Sequence, residues 1–195
     1  MNFPDLSSRV LPAAGYRRER WRNGLGWTRE ILRLPEQGDW QLRLSIAEIE
    51  QDAAFSAFPG VERELVLLQG EGMHLCFADG RRHTLLPPFQ RLRFAGEDEL
   101  EAELIDGPTR DFNLMWRRDS LQAQLLHRPL VGNMVFFSEP QVAWAIHLLA
   151  GQAQFGNDEL PPLQAGDSAW LAAGERRSHA LQGGGELLAI RITPA

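Results

Sequence analysis

Short apolar runs are the feature of this sequence that most constrains its fold. They are roughly five to eight residues long and are bounded by Gly, Pro, Asp or Asn, which is typical of strands. No window keeps an apolar period of 3.6 residues for long, so extended helices are not expected. Turn signals at Gly38-Asp39, Asp79-Gly80 and Asn157-Asp158 separate several runs. The predicted strands cover residues 27–34, 40–48, 64–68, 72–77, 90–94, 100–105, 111–117, 143–149, 168–171 and 187–192. The chain is therefore predicted to be an all-β barrel or sandwich.

The charge balance and the single cysteine exclude several classes of protein. The chain has 20 basic and 26 acidic residues, a net charge of −6, and all 20 basic residues are arginine. Without a clustered basic face, nucleic-acid binding is not expected. Cys76 alone cannot form an intrachain disulfide or a multi-thiolate metal site. Residues 1–6 lack a secretory pattern and the longest apolar runs are far too short for a membrane span, which predicts a cytoplasmic protein.

A weak internal repeat suggests that one unit occurs twice. Three short motifs recur at offsets of 81, 74 and 78 residues. The pairs are Leu67-Leu68-Gln69-Gly70 with Leu148-Leu149-Ala150-Gly151, Pro87-Pro88 with Pro161-Pro162, and Ala95-Gly96-Glu97 with Ala173-Gly174-Glu175. The repeated unit resembles a bicupin, with two double-stranded β-helix (jelly-roll) barrels in one chain. This predicts an N-terminal barrel over residues 1–118, carrying the ligand pocket, and a degenerate C-terminal barrel over residues 119–195.

The cupin resemblance also implies where a metal site would lie. In cupins a His-x-His pair precedes a Glu that stands seven positions before the Gly of the Leu-x-Gly turn. Counting back seven positions leads to Arg63 from Gly70 and to Trp144 from Gly151. A guanidinium group has no lone pair to offer a cation, and only His179 matches the late histidine of the pattern. Neither a metal nor another cofactor is therefore expected.

Arg63 is the residue of the first repeat whose charge most needs a partner. If the cupin alignment holds, Arg63 points into the barrel mouth, where an unpaired charge is costly. Two explanations remain open. The guanidinium either forms an internal ion pair, with Glu48, Glu62 or Asp111, or it holds an anionic ligand through a bidentate fork.

Three further segments carry candidate ligand-binding residues, each with a purely structural alternative. In residues 40–48, Arg43, Ser45 and Ala47 share one strand face, which is either solvated or leaves room for a ligand. Residues 21–30 form either a simple glycine turn or a pocket wall, and they lack the spacing of a phosphate-binding loop. In residues 111–118, Asn113 suits an amide or formyl group and Met115 supplies adaptable packing.

Four blocks in these segments resemble the HutD/Ves family. They read W-x-N-G-x-G-x-T-x-E (residues 21–30), R-x-S-x-A (43–47), F-S-x-F-P-G-x-x-R (55–63) and D-F-N-L-M-x-R-R (111–118). The resemblance implies an RmlC-like β fold with two barrels. It also implies a regulatory or ligand-sensing role in histidine utilisation, with no established catalytic step.

The leading hypothesis is a metal-free binding protein for a small anionic metabolite of histidine catabolism, such as urocanate or N-formylglutamate. Arg63 and Arg43 would hold the anion. The predicted ligand-binding residues are Trp21, Asn23, Thr28, Arg43, Ser45, Phe58, Arg63, Asn113 and Met115.

Two other classes of function remain as alternatives. The first is a metal-independent isomerase or hydrolase acting on a small carboxylate, with Asp111 or Glu48 as the base and His179 as the acid. The second is an interaction module that forms a homodimer through apolar side chains of the C-terminal unit. The candidate interface residues are Phe136, Phe137, Trp144 and Trp170.

Overall fold

The computed structural model describes residues 7–156 and 160–195, and in them the chain is all-β, as predicted. The strands are β1 (Arg9–Leu11), β2 (Arg17–Arg20), β3 (Gly26–Leu34), β4 (Leu42–Ile49), β5 (Ala53–Ala54), β6 (Val61–Gln69), β7 (Met73–Phe77), β8 (Arg82–Leu85), β9 (Arg91–Ala95), β10 (Leu100–Leu104), β11 (Thr109–Arg117), β12 (Leu121–Ser138), β13 (Ala143–Phe155), β14 (Leu163–Gln164), β15 (Ser168–Leu171) and β16 (Arg177–Pro194). A 3-10 turn occupies Ala13–Gly15, and the described residues include no helix long and apolar enough to span a bilayer. The predicted turn at Asn157-Asp158 and residues 1–6 lie outside the described residues.

The chain divides into two compact units, one of residues 17–119 and one of the remaining described chain. The predicted division assigned the N-terminal residues to the first domain. In the structure, β1 instead pairs antiparallel with β15, and the Tyr16 hydroxyl donates a hydrogen bond to the Gly166 carbonyl over 2.8 Å. The backbone of β1 therefore forms its hydrogen bonds with the C-terminal part of the chain. The position of β1 in the sequence does not reveal this long-range pairing.

The unit of residues 17–119 is built from two antiparallel sheets. Six strands run in the order β2-β3-β4-β11-β6-β9, and four run in the order β5-β10-β7-β8. Their apolar faces form one core, in which Leu65 and Leu67 of the larger sheet join Met73 and Leu75 of the smaller one. The strand pairings of the described residues leave both sheets open, and a closed barrel is not among them.

The other unit has one sheet, ordered β1-β15-β13-β16-β12, with β14 paired to β13. Strand β12 was not predicted because Pro129, Gly132 and Asn133 interrupt its sequence. Proline lacks the N–H group that a central strand needs, and β12 tolerates it at the end of the sheet, where only β16 pairs with it. Of the aromatic residues proposed for a dimer interface, Phe136 and Trp170 are buried and cannot contribute to one.

The two copies of the Leu-Leu-x-Gly motif have the same backbone irregularity. The register of β6 skips Leu68 and that of β13 skips Leu149, so the second leucine of each copy is the extra residue of a β-bulge. The glycine two positions later has a positive φ in both, 104° at Gly70 and 84° at Gly151. This motif of the sequence repeat thus has the same local backbone geometry in both units.

Candidate functional site

The predicted ligand-binding residues meet on one face of the six-stranded sheet because of its register. Ser45 of β4 lies opposite Asn113 of β11, and Met115 lies opposite both Arg43 of β4 and Arg63 of β6. Directly opposed residues of antiparallel strands point to the same face. This pairing brings together side chains that are up to 72 positions apart in the chain, as with Arg43 and Met115.

These side chains line a cavity of about 540 Å³, which we call the larger cavity. All the predicted ligand-binding residues contribute to its wall: Trp21, Asn23, Thr28, Arg43, Ser45, Phe58, Arg63, Asn113 and Met115. The prediction did not include several other lining residues: Glu19, Arg20, Arg22, Ala47, Ala54, Phe55 and Ser56. Phe55 and Ser56 belong to the third family block and could have been included from it, whereas no signal in the sequence indicated Glu19 or Ala54.

Arg63 is buried at this cavity with its hydrogen-bonding capacity partly unused. Its side chain is 5% exposed, and it donates to Asn113 Oδ1 over 3.1 Å and to the Ser56 carbonyl over a long 3.4 Å. Its buried Nε has no partner. No carboxylate of the described chain lies within ion-pairing distance of its guanidinium, which therefore carries an uncompensated charge.

The internal ion pairs that could have explained Arg63 are absent from the described residues. All three proposed carboxylates have other partners. Glu48 pairs with Arg18 and Arg29, Glu62 with Arg93 and Arg118, and Asp111 accepts a hydrogen bond from Thr109. The explanation of Arg63 by an internal ion pair with one of these three carboxylates is therefore wrong for the described residues.

Aromatic rings surround the Arg63 guanidinium. Its central carbon lies 5.1 Å from the Phe55 ring centroid, 5.6 Å from that of Phe58 and 5.1 Å from that of Phe94. Ring faces attract a cation, but they supply no hydrogen-bond acceptors for its N–H groups. Burial, together with the charge of nearby Arg43, lowers the pKa of Arg63 to about 10. The group therefore stays cationic at neutral pH.

Arg43 forms an ion pair with Glu30, which the sequence did not predict. Its Nε donates to Glu30 Oε2 over 2.8 Å, and both side chains are about one-fifth exposed. Glu30 neutralises much of the charge of Arg43. Of the two predicted arginines, Arg63 is consequently the one without a carboxylate partner in the described chain.

The segment between β2 and β3 forms one wall of the larger cavity. Trp21 Nε1 donates to Thr28 Oγ1 over 2.9 Å, which ties the indole to β3. Asn23 Oδ1 accepts the Leu25 N–H over 3.0 Å, so the Asn23 carbonyl stabilises its own turn. The amide NH₂ of Asn23 takes no part in this turn, and Oδ1 keeps a second lone pair.

Gly26 permits this wall to form. A Cβ atom at this position would lie 2.5 Å from the Glu48 carbonyl oxygen and 3.1 Å from the Trp21 ring. We expect Gly26→Ala to displace Trp21 and to lower the free energy of unfolding by about 1–3 kcal/mol. The measurements are the Trp21 indole resonance and chemical denaturation. Gly174→Ala is the matched control, because no atom lies within 4 Å of its added Cβ, and an equal effect in both variants would contradict this role.

The residues proposed for acid–base catalysis do not reach the larger cavity. Asp111 is fully buried, and Glu48 is held in its ion pairs with Arg18 and Arg29. His179 belongs to the other unit, where its Nε2 shares a hydrogen bond of 3.1 Å with Ser138 Oγ. None of the three residues lines the larger cavity, so this structure gives the catalytic alternative no support there.

The fold and this cavity define a cupin-like all-β protein with an arginine-lined cavity. A family model described as HutD matches residues 13–189, nearly the whole chain. The chain belongs to the HutD family.

Relatives and solved structures agree with this assignment. Protein Ves of Cronobacter sakazakii is 36% identical over 174 residues, 89% of this chain and 92% of the relative. An uncharacterised 21.2 kDa protein of the hutC 3′ region of Pseudomonas putida is 41% identical over 118 residues, 60% of this chain and 62% of that protein. The structure of HutD from Pseudomonas fluorescens SBW25 covers 97% of this chain and 100% of its own, at a TM-score of 0.83 and 30% identity.

More distant neighbours share the fold alone. The bacterial pirin YhhW of Escherichia coli, solved in complex with nickel(II), has a TM-score of 0.69 at 11% identity and covers 96% of this chain and all of its own. The lining of the larger cavity does not fit such a metal, because it includes one carboxylate, Glu19, and neither His nor Cys. The described residues contain no group of three His, Cys, Asp or Glu side chains placed to hold a metal ion.

Proposed function

We propose that this protein binds a small anionic metabolite of histidine catabolism, urocanate or N-formylglutamate, in the larger cavity and acts as a sensor or regulator. The observation that carries the proposal is Arg63, which is buried and without a carboxylate partner at the cavity wall. A ligand carboxylate would compensate this charge and accept hydrogen bonds from the guanidinium.

The remaining groups of the cavity match the other parts of such a ligand. Asn113 and Ser45 lie opposite each other and can donate to or accept from a formyl, amide or imidazole group. Met115 and Phe58 supply apolar contact. A volume of about 540 Å³ is within the usual range for small-molecule sites and accommodates either compound.

The link to histidine catabolism comes from the family. The Pseudomonas putida relative is named for its position in the hutC 3′ region, and the family model is called HutD. We extend that association to this chain, whose cavity is lined by residues of all four family blocks.

We further propose that the two units are the two jelly-roll barrels of a bicupin, with the ligand in the N-terminal one. The equivalent bulges at Leu68 and Leu149 support this proposal. Each unit contains a bulge two residues before a positive-φ glycine, and so specific a combination is expected in both units if they are copies of one fold.

The test of ligand binding is calorimetric titration with urocanate and with N-formylglutamate, together with thermal unfolding. We expect one compound to bind with 1:1 stoichiometry and to raise the melting temperature, since a ligand that binds only the folded state stabilises it. Imidazole, which lacks a carboxylate, is the control and should give neither heat nor a shift. Absence of both signals with both acids would reject the proposal.

A further inference from the structure

A second, smaller cavity of about 220 Å³ lies in the same unit. We call it the smaller cavity, and its lining residues are Arg33, Asp39, Trp40, Ala57, Phe58, Pro59, Val61 and Arg117. Phe58 is the one lining residue that it shares with the larger cavity. Three of these residues, Arg33, Asp39 and Trp40, lie outside the four family blocks.

The arginines of the smaller cavity belong to the same sheet face as Arg63. Arg33 of β3 lies directly opposite Arg43 of β4, and Arg117 follows Met115 by two positions on β11. Alternate residues of a strand share a face, so Arg33, Arg43, Arg63 and Arg117 all point to one side of the sheet. Like charges that face each other across strands are destabilising.

Protein groups compensate this positive charge only in part. Glu30 pairs with Arg43, but no carboxylate of the described chain forms a salt bridge with either Arg33 or Arg117. Both donate to backbone carbonyls instead, Arg33 to Gly38 over 2.6 Å and Arg117 to Pro59 over 3.1 Å. The Nε atom of Arg33 is buried and has no partner. Arg33 and Arg117 thus resemble Arg63 of the larger cavity, since the described chain offers none of the three a carboxylate partner.

We infer that the smaller cavity is a second anion site, for a small monocarboxylate held between Arg33 and Arg117. Its volume equals about seven water molecules at ~30 Å³ each, which suits a short carboxylic acid and is small for the metabolite of the larger cavity. Trp40, whose ring centroid is 6.1 Å from that of Phe58, supplies apolar contact for the carbon end of the ligand. Asp39 at the wall disfavours a dianion such as phosphate.

Each cavity contains one tryptophan, which allows the two sites to be observed separately. Trp21 lines the larger cavity and Trp40 the smaller one. Their indole N–H resonances can be assigned in ¹H–¹⁵N spectra with Trp21→Phe and Trp40→Phe variants. The probe is acetate, with orthophosphate at the same ionic strength as the comparison.

In the Arg63→Gln protein, we expect acetate to shift the Trp40 resonance saturably and phosphate to do so more weakly. Arg33→Gln or Arg117→Gln, each in the Arg63→Gln background, should weaken that acetate titration about tenfold or more, the loss expected for one partner of a charged hydrogen bond. Asp39→Asn, an exposed change that spares the fold, should strengthen it. Equal responses in all these proteins, or no Trp40 shift at acetate concentrations that saturate Trp21 in the parent protein, would overturn the inference.

This experiment separates the second site from the proposed function. A Trp40 response that persists in Arg63→Gln supports the smaller cavity even if urocanate and N-formylglutamate do not bind. A Trp21 response without a Trp40 response retains the larger cavity as an anion site and rejects the smaller one.

Discussion

Replacing Arg63 with methionine is expected to abolish metabolite binding while making the free protein more stable. The binding loss should be hundredfold or greater, about 3 kcal/mol, because a buried charged hydrogen-bond partner of the ligand disappears. Stability should rise by about 1 kcal/mol or more, because the change removes a buried charge that has no carboxylate partner and fills its place with an apolar side chain. Opposite effects on binding and on melting temperature distinguish a ligand-binding arginine from a structural one.

The measurements are calorimetric titration and thermal unfolding of the free and ligand-saturated proteins. Arg82→Met is the matched control, since Arg82 is exposed on β8, pairs with Glu103 and lines neither cavity. It should change binding little. A lower melting temperature for ligand-free Arg63→Met would show that Arg63 is needed for folding, and unchanged binding would exclude it from the site.

The second large effect is expected at Asp111. This carboxyl is fully buried beside the apolar core, where Thr109 donates to its Oδ2 over 2.8 Å and Oδ1 has no partner. Burial raises the pKa of Asp111 from 3.8 to about 8, against the opposing effect of the Thr109 hydrogen bond. Asp111→Asn should increase the free energy of unfolding by about 4 kcal/mol at pH 7, at about 1.4 kcal/mol for each pKa unit between 3.8 and 7.

The direction of the pH dependence follows from proton binding. Between pH 3.8 and about 8 the folded protein keeps the Asp111 proton and the unfolded chain has lost it. Stability therefore falls as the pH rises through this interval and levels off above it. Asparagine carries no titratable proton and can still accept the Thr109 hydrogen bond. The gain in stability from Asp111→Asn should therefore be small near pH 3.8 and largest above pH 8.

Chemical denaturation of both proteins across this pH range provides the measurement. Asp106→Asn is the matched control, because Asp106 is exposed and close in the chain, and it should follow the parent protein at every pH. A gain that is constant with pH would show that folding does not raise the pKa of Asp111, and a loss near neutral pH would show that the folded protein stabilises the ionised carboxylate.

Together these two residues indicate that the face of the six-stranded sheet that carries Arg63 is not optimised for stability. The guanidinium of Arg63 has no carboxylate partner there. Asp111, four residues before the Met115 that pairs with Arg63, has a carboxyl that burial keeps protonated. Proteins commonly accept such costs where a site must receive a ligand. The prediction that Arg63→Met stabilises the protein is a direct test of this view for the larger cavity.

The local patterns of the sequence predicted much of the secondary structure. Alternation along residues 40–48 and 111–117 placed strands close to β4 and β11 and separated their two faces correctly. The full length of β12 could not be predicted, since whether Pro129 is tolerated depends on its position at the end of the sheet. The partner of β1 was equally hidden, because pairing between residues more than 150 positions apart leaves no local signal.

For the site, the sequence by itself determined which side chains share a face, and its resemblance to cupins predicted that Arg63 takes the position of a metal ligand. It could not decide between an ion pair and a ligand at Arg63, or show that Glu30 engages Arg43. Those outcomes depend on which strands become neighbours, and strand order is set by the burial of whole apolar faces. Only the tertiary structure could show that Glu48, Glu62 and Asp111 have other partners, leaving the Arg63 charge uncompensated at a cavity.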